Sequence, residues 1–168
     1  RIAALRAAGL SQQRVIHLAT HALLPGELSC MPEPAIVLSP QRGAADASSA
    51  FLRASEILAF KLDADLVILS ACNTAGPATG VQNGSANAGE ALSGLARSFF
   101  FAGARGLLVT HWEAVDRAAA ITVADMMRRQ QEGADSAAAL RGAQLLLLEE
   151  AGRSLPAAFA HPYYWAGF

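Results

Sequence analysis

Short apolar runs alternate with polar and glycine-rich stretches along this chain. Val15-Ile16-His17-Leu18-Ala19-Thr20 is mostly apolar and ends in a polar turn, the pattern of a strand buried on both faces of a parallel sheet. Ala35-Ile36-Val37-Leu38-Ser39, bounded by Pro34 and Pro40, predicts a second strand, and the small polar stretch from Gln41 to Ser49 predicts a loop after it. Ser55 with Glu56 opens a short helix to about Lys61, and Asp65-Leu66-Val67-Ile68-Leu69-Ser70-Ala71 is the clearest buried strand. Four glycines and a proline between Gly76 and Gly89 predict a mobile loop. Gly89 to Phe101 reads as a helix apolar nearly all round, stopped by Gly103, and Arg105 to Thr110 as another buried strand.

Residues 116–131 and 135–150 predict two helices, the first with Ile121, Ala124 and Met127 along one stripe. Arg1 to Leu10 has helical spacing, as the tail of a longer helix would, and His161-Pro162-Tyr163-Tyr164-Trp165 reads as a loop entering a final strand. Strands alternating with helices predict an α/β fold, a parallel sheet with helices on both faces.

Composition narrows the function classes. The 168 residues suit one domain, and 53% hydrophobic against 16% charged residues excludes intrinsic disorder. The net charge of −1 gives no reason to expect nucleic acid or an anionic membrane as partner. The most apolar stretch, Ala91 to Trp112, is broken by Arg97 and Arg105, so no membrane span is expected. Two cysteines, Cys30 and Cys72, and four scattered histidines offer neither a disulfide framework nor a metal-ligand spacing, so no metal or cofactor is expected and a reducing cytoplasm is the natural compartment. Arg1-Ile2-Ala3 at one end and an aromatic run reaching Phe168 at the other suggest a segment of a longer protein.

In an open parallel sheet, functional groups collect beyond the carboxyl ends of the strands. His21 follows the run 15–20 and Cys72 follows 65–71. If these strands are neighbours, about 4.8 Å apart, imidazole and thiol meet across the sheet edge, and a nearby imidazole raises the thiolate fraction. That is the chemistry of a cysteine hydrolase. The same residues also admit a plainer reading, Cys72 as a small buried hydrophobe and His21 as a structural histidine.

Several blocks together resemble one family. His17-Leu18-Ala19-Thr20-His21-Ala22, Asp65 through Thr74, Gly89-Glu90-Ala91-Leu92-Ser93-Gly94-Leu95-Ala96-Arg97, Ala102-Gly103-Ala104-Arg105, Thr110-His111-Trp112 with Val115-Asp116, and His161 through Trp165 look like the CHAT domain, the caspase-like peptidase domain often found after tetratricopeptide repeats in bacteria. The resemblance implies a caspase-like three-layer α/β/α sandwich with a mainly parallel central sheet. Residues 1–168 would be part of that domain, downstream of a repeat or sensor region of the same protein. It also implies His21 as catalytic histidine, Cys72 as nucleophile and His17 as not the catalytic one.

Related enzymes commonly carry Gly after the histidine, where this chain has Ala22. The Ala22 amide survives that change, so the backbone N–H groups of Ala22 and Cys72 are the expected oxyanion donors, a kind of donor worth about 3 kcal/mol each. Asn73 stands where many relatives carry an acid, and either contacts substrate or caps a turn; Trp112 either lines the substrate groove or belongs to the core. Glu90, Glu113 and Asp116 select a basic substrate residue or fill solvated and capping roles, while Cys30, His111 and His161 read as structural. The expected function is a cysteine endopeptidase acting on a protein partner, and the alternative is a signalling or scaffold module that keeps the fold without proteolysis.

Overall fold

The computed structural model describes residues 5, 8–25, 27–29, 31–40, 50–70, 88–112 and 114–168, and for 88–93 the backbone only. The chain divides into two compact units, Arg1–Glu113 and Ala114–Phe168.

The first unit is organised by β5 (Leu66–Leu69), whose four apolar residues are all buried. β1 (Val15–Leu18) flanks it on one side and β6 (Leu107–Val109) on the other, both parallel to it. The register pairs Val15 with Leu66 and Leu18 with Leu69, then Val67 with Leu107 and Leu69 with Val109, so the three strands end abreast at Leu18, Leu69 and Val109. β1 is not buried on both faces: Ile16 is buried, whereas Val15 and His17 are exposed. As the edge strand of the described sheet it follows the alternation of a half-covered strand rather than the uniform burial of the centre.

The run around residues 35–39 does not join the parallel sheet. β3 (Ala35–Val37) is the middle of a separate antiparallel ribbon, between β2 (Ala22–Leu23) and β4 (Phe51–Arg53). Ile36 pairs with Ala22 on one side and with Leu52 on the other. The helix after it, α1 (Ala54–Ile57), is a single turn and stops before Lys61. Glu33 caps that turn by accepting from Ser55 N–H and Oγ–H, both at 2.9 Å.

α2 (Ala88–Ala102) buries Leu95, Phe99 and Ala102 in a core shared with Ile16, Val67, Leu69, Ile36 and Leu52. Its apolar surface is not all buried, because Phe100 and Phe101 are 49% and 73% exposed. Gly103 then turns the chain into β6 with φ +111°, and a Cβ there would lie 2.2 Å from the Leu62 carbonyl oxygen. Only glycine fits that approach. At the amino ends of the strands, Arg14 pairs with Asp65, and Arg105 pairs with both Asp63 and Asp65, the latter at 2.8 Å.

The second unit packs α3 (Asp116–Gln131) against α4 (Ser136–Glu150). Its buried stripe is Ala118, Ala119, Thr122, Val123, Asp125 and Met126, one position away from the expected Ile121, Ala124 and Met127. Two polar residues defeat the apolar pattern because each is satisfied inside. Thr122 Oγ1 donates to the Ala118 carbonyl, and Asp125 accepts from Arg129 Nε at 2.6 Å and from Arg128. Gly142 of α4 leaves the space in which the Arg129 guanidinium lies. The aromatic run is no strand: Pro162–Trp165 is a helical turn, α5, with Pro at its start and His161 Nδ1 accepting the Tyr163 N–H at 3.2 Å. Gln144 of α4 ties it down by donating to the Trp165 carbonyl at 3.0 Å.

Candidate functional site

Aligned strand ends make the carboxyl edge of the parallel sheet a row of equivalent positions. Counting three residues beyond Leu18, Leu69 and Val109 gives His21, Cys72 and Trp112. Cys72 and Asn73 lie outside the described residues, as do Cys30, Glu113 and loop positions 76–87. His21 and Trp112 are described, His21 with an exposed side chain and Trp112 half-buried.

The backbone at His21 is fixed by the antiparallel ribbon. Val37 N–H donates to the His21 carbonyl at 2.8 Å, and Thr20 Oγ1 donates to the Val37 carbonyl. Those bonds hold the crossing from β1 into β2 while the imidazole faces solvent. They also define the geometry at the next residue. A Val37-to-His21 bond makes Ala22 and Ile36 a non-hydrogen-bonded pair, so the Ala22 N–H points away from β3. Since β2 is an edge strand, that side carries no strand among the described residues. The methyl group of Ala22 is buried, so the Cβ that replaces a hydrogen here packs inward.

A second polar pair sits beside this edge. His17 Nε2 and Ser70 Oγ are 2.7 Å apart, linking β1 to the residue that follows β5. Although the side chain is largely accessible, desolvation by the strands around it lowers the His17 pKa below its ordinary value. Sequence reasoning set His17 aside and passed over Ser70. The signal lay in the register: with 17 opposite 68, position 70 projects to the same face one pleat further on.

The remaining candidates are spread more widely. Asp116 is exposed in the first turn of α3, where a carboxylate complements the helix dipole, and it belongs to the second unit. His161 caps α5, consistent with a structural role. His111 is exposed in the segment after β6, and Glu90 lies in the first turn of α2. Among the described residues no group of three or more His, Cys, Asp or Glu side chains is arranged to hold a metal ion. Nor is any described helix long and apolar enough to cross a membrane.

The chemistry available at the carboxyl edge is therefore an accessible imidazole on a fixed backbone, an outward-facing amide next to it and an aromatic ring at the third strand end. A family model described as the CHAT domain matches residues 1–168, the whole chain. No curated protein matches.

Proposed function

Because this chain belongs to the CHAT domain family, which is related to caspase-like cysteine peptidases, we propose that it hydrolyses peptide bonds of a protein partner with Cys72 as nucleophile and His21 as its acid–base partner. The observation that carries this reading is the register. Leu18 pairs with Leu69, so His21 and Cys72 follow adjacent strands at the same offset. The proposed fold of the complete domain is the caspase-like three-layer sandwich, of which the parallel three-strand sheet is the centre.

In this reading the Cys72 thiol gives its proton to His21, and the thiolate sulfur attacks the carbonyl carbon of the scissile bond. Negative charge develops on the carbonyl oxygen, and the Ala22 and Cys72 amides bind it. His21 then returns the proton to the departing amine, leaving a thioester on Cys72. Water, deprotonated by His21, hydrolyses the thioester and regenerates the thiol. Trp112 forms a wall of the substrate groove, and Asn73 contacts the substrate. Control comes from a repeat or sensor region elsewhere in the same protein, and the compartment is the cytoplasm.

The test is incubation of the intact protein with a peptide library, with and without Cys72→Ala. Cleavage that disappears in the variant supports the peptidase reading. Cleavage that persists removes Cys72 from the mechanism, and no cleavage by the intact, signalled protein favours the scaffold alternative.

A further inference from the structure

We propose that the outer face of α2 near its carboxyl end is a docking surface for an acidic, amphipathic segment of another protein, which sets apolar side chains against Phe100 and Phe101 and carboxylates against Arg97 and Lys61. α2 turns Leu95, Phe99 and Ala102 into the core. Arg97 lies three and four residues before Phe100 and Phe101, so the three share one outward face. The segment before β5 crosses this end of the helix: Leu62 N–H donates to the Ala102 carbonyl at 2.7 Å. It places the exposed Lys61 beside the helix end, with the exposed Leu58 a turn earlier. Single exposed apolar side chains are ordinary, but phenylalanine is among the residue types most often buried. Two of them side by side on one helix, with a leucine in the crossing segment, mark an interaction surface.

The charge on this face says what covers it. Among the described residues, Arg97 and Lys61 have no ion-pair partner. The two acids of the neighbouring segment are engaged, Glu56 by the Arg53 N–H at 3.1 Å and Asp63 by Arg105. A second copy of the chain does not suit such a face. Two copies paired antiparallel about the phenylalanines set Arg97 of each against the Lys61 end of the other, and paired in parallel they set Arg97 against Arg97. Like charges meet either way. An anionic membrane suits it little better, because basic clusters that hold lipid headgroups use about four to eight Lys or Arg, and this face carries two. A partner with carboxylates beside apolar side chains answers both features. The two rings bury roughly 200–300 Å² against it, the scale of a hot spot within an interface.

The test is selection of a phage-displayed library of random 16-residue peptides on the intact protein, followed by fluorescence anisotropy with the most enriched sequences. Those sequences are expected to be net acidic, with aromatic or leucine residues at helical spacing. Phe101→Ser and Phe100→Ser each weaken their binding by about 10-fold or more. Both positions are exposed, so melting temperatures stay within about two degrees of wild type. Arg97→Glu weakens the acidic peptides further and favours variants of them in which Lys replaces Glu. Leu145→Ser, at an exposed leucine of α4, leaves binding unchanged. Enriched peptides that are neutral or basic, or whose binding ignores Phe100 and Phe101, would overturn the proposal. So would sedimentation showing a dimer that Phe101→Ser dissolves, or binding to vesicles of phosphatidylserine and phosphatidylcholine that Phe101→Ser abolishes while no acidic peptide binds.

Discussion

The two edges of the parallel sheet follow one register and carry different chemistry. Counting back from the strands, Arg14, Asp65 and Arg105 form one row across the amino edge, and they neutralise each other, with Asp63 as a further partner of Arg105. Counting forward by the same number of residues along the sequence gives His21, Cys72 and Trp112, of which His21 and Trp112 are described at the carboxyl edge. The first row alternates positive and negative charge; the second set of positions supplies an imidazole, a thiol and an aromatic ring. Charge pairing at the amino edge favours one register over a slipped one, and in that register positions 21 and 72 are the same number of residues beyond the paired strand ends Leu18 and Leu69. Because Arg14 and Arg105 are 81% and 57% exposed, their pairs contribute specificity more than stability.

Substitutions at the two edges should separate activity from stability. The largest effect is expected from His21→Ala, which lowers kcat/KM by roughly 10⁴-fold or more. Its melting temperature stays within a degree or two of wild type, measured by calorimetry on the same sample. Next comes Gly103→Ala, at the turn that delivers β6 to the amino edge. The new Cβ collides with the Leu62 backbone and forces an unfavourable φ, so urea denaturation should show a loss of about 3 kcal/mol or more. Asp65→Asn removes the carboxylate charge between Arg14 and Arg105, and the expected cost is about 1 kcal/mol at low salt, shrinking in 1 M salt, with turnover unchanged.

The smallest effects are in pH dependence. His17 has a folded pKa below its unfolded one, so the unfolded state binds more protons in that window. Its contribution is present above about pH 6.5 and lost as the pH falls through the lowered folded value. His17→Phe should flatten that part of the stability profile, while Asp65→Asn should not. Away from both edges, burial raises the Asp125 pKa, but hydrogen bonds from Arg129 and Arg128 outweigh it and leave the carboxyl below its ordinary value. Its stabilisation is therefore present above about pH 3.9 and lost as the pH falls through the lower folded value, which Asp125→Asn would abolish in acid titrations followed by circular dichroism.

Much of this was legible in the sequence where burial is uniform. Leu66–Leu69 reads as a central strand because four consecutive positions are apolar, and α4 starts where Asp135 caps it by accepting the Ala138 N–H at 2.8 Å. β2 and β4, two and three residues long, are too short to show any period, so the antiparallel ribbon that fixes His21 was invisible. The α3 stripe was misread because Thr122 and Asp125 are buried through hydrogen bonds, which an apolar pattern does not register. Tyr163-Tyr164-Trp165 has strand-like composition, and the signal for a helical turn was Pro162 after a capping His161. At the site, His21 and Ala22 were legible as residue types, whereas the His17–Ser70 contact needed the register before it had any meaning.

The most direct measurement is covalent trapping of the nucleophile. Treating the intact protein with a library of peptidyl chloromethyl ketones, followed by mass mapping of both cysteines, should place the adduct on Cys72 and not on Cys30. His21→Ala should slow adduct formation by orders of magnitude. Equal labelling of Cys30 and Cys72, or labelling of Cys72 that does not depend on His21, would contradict the account.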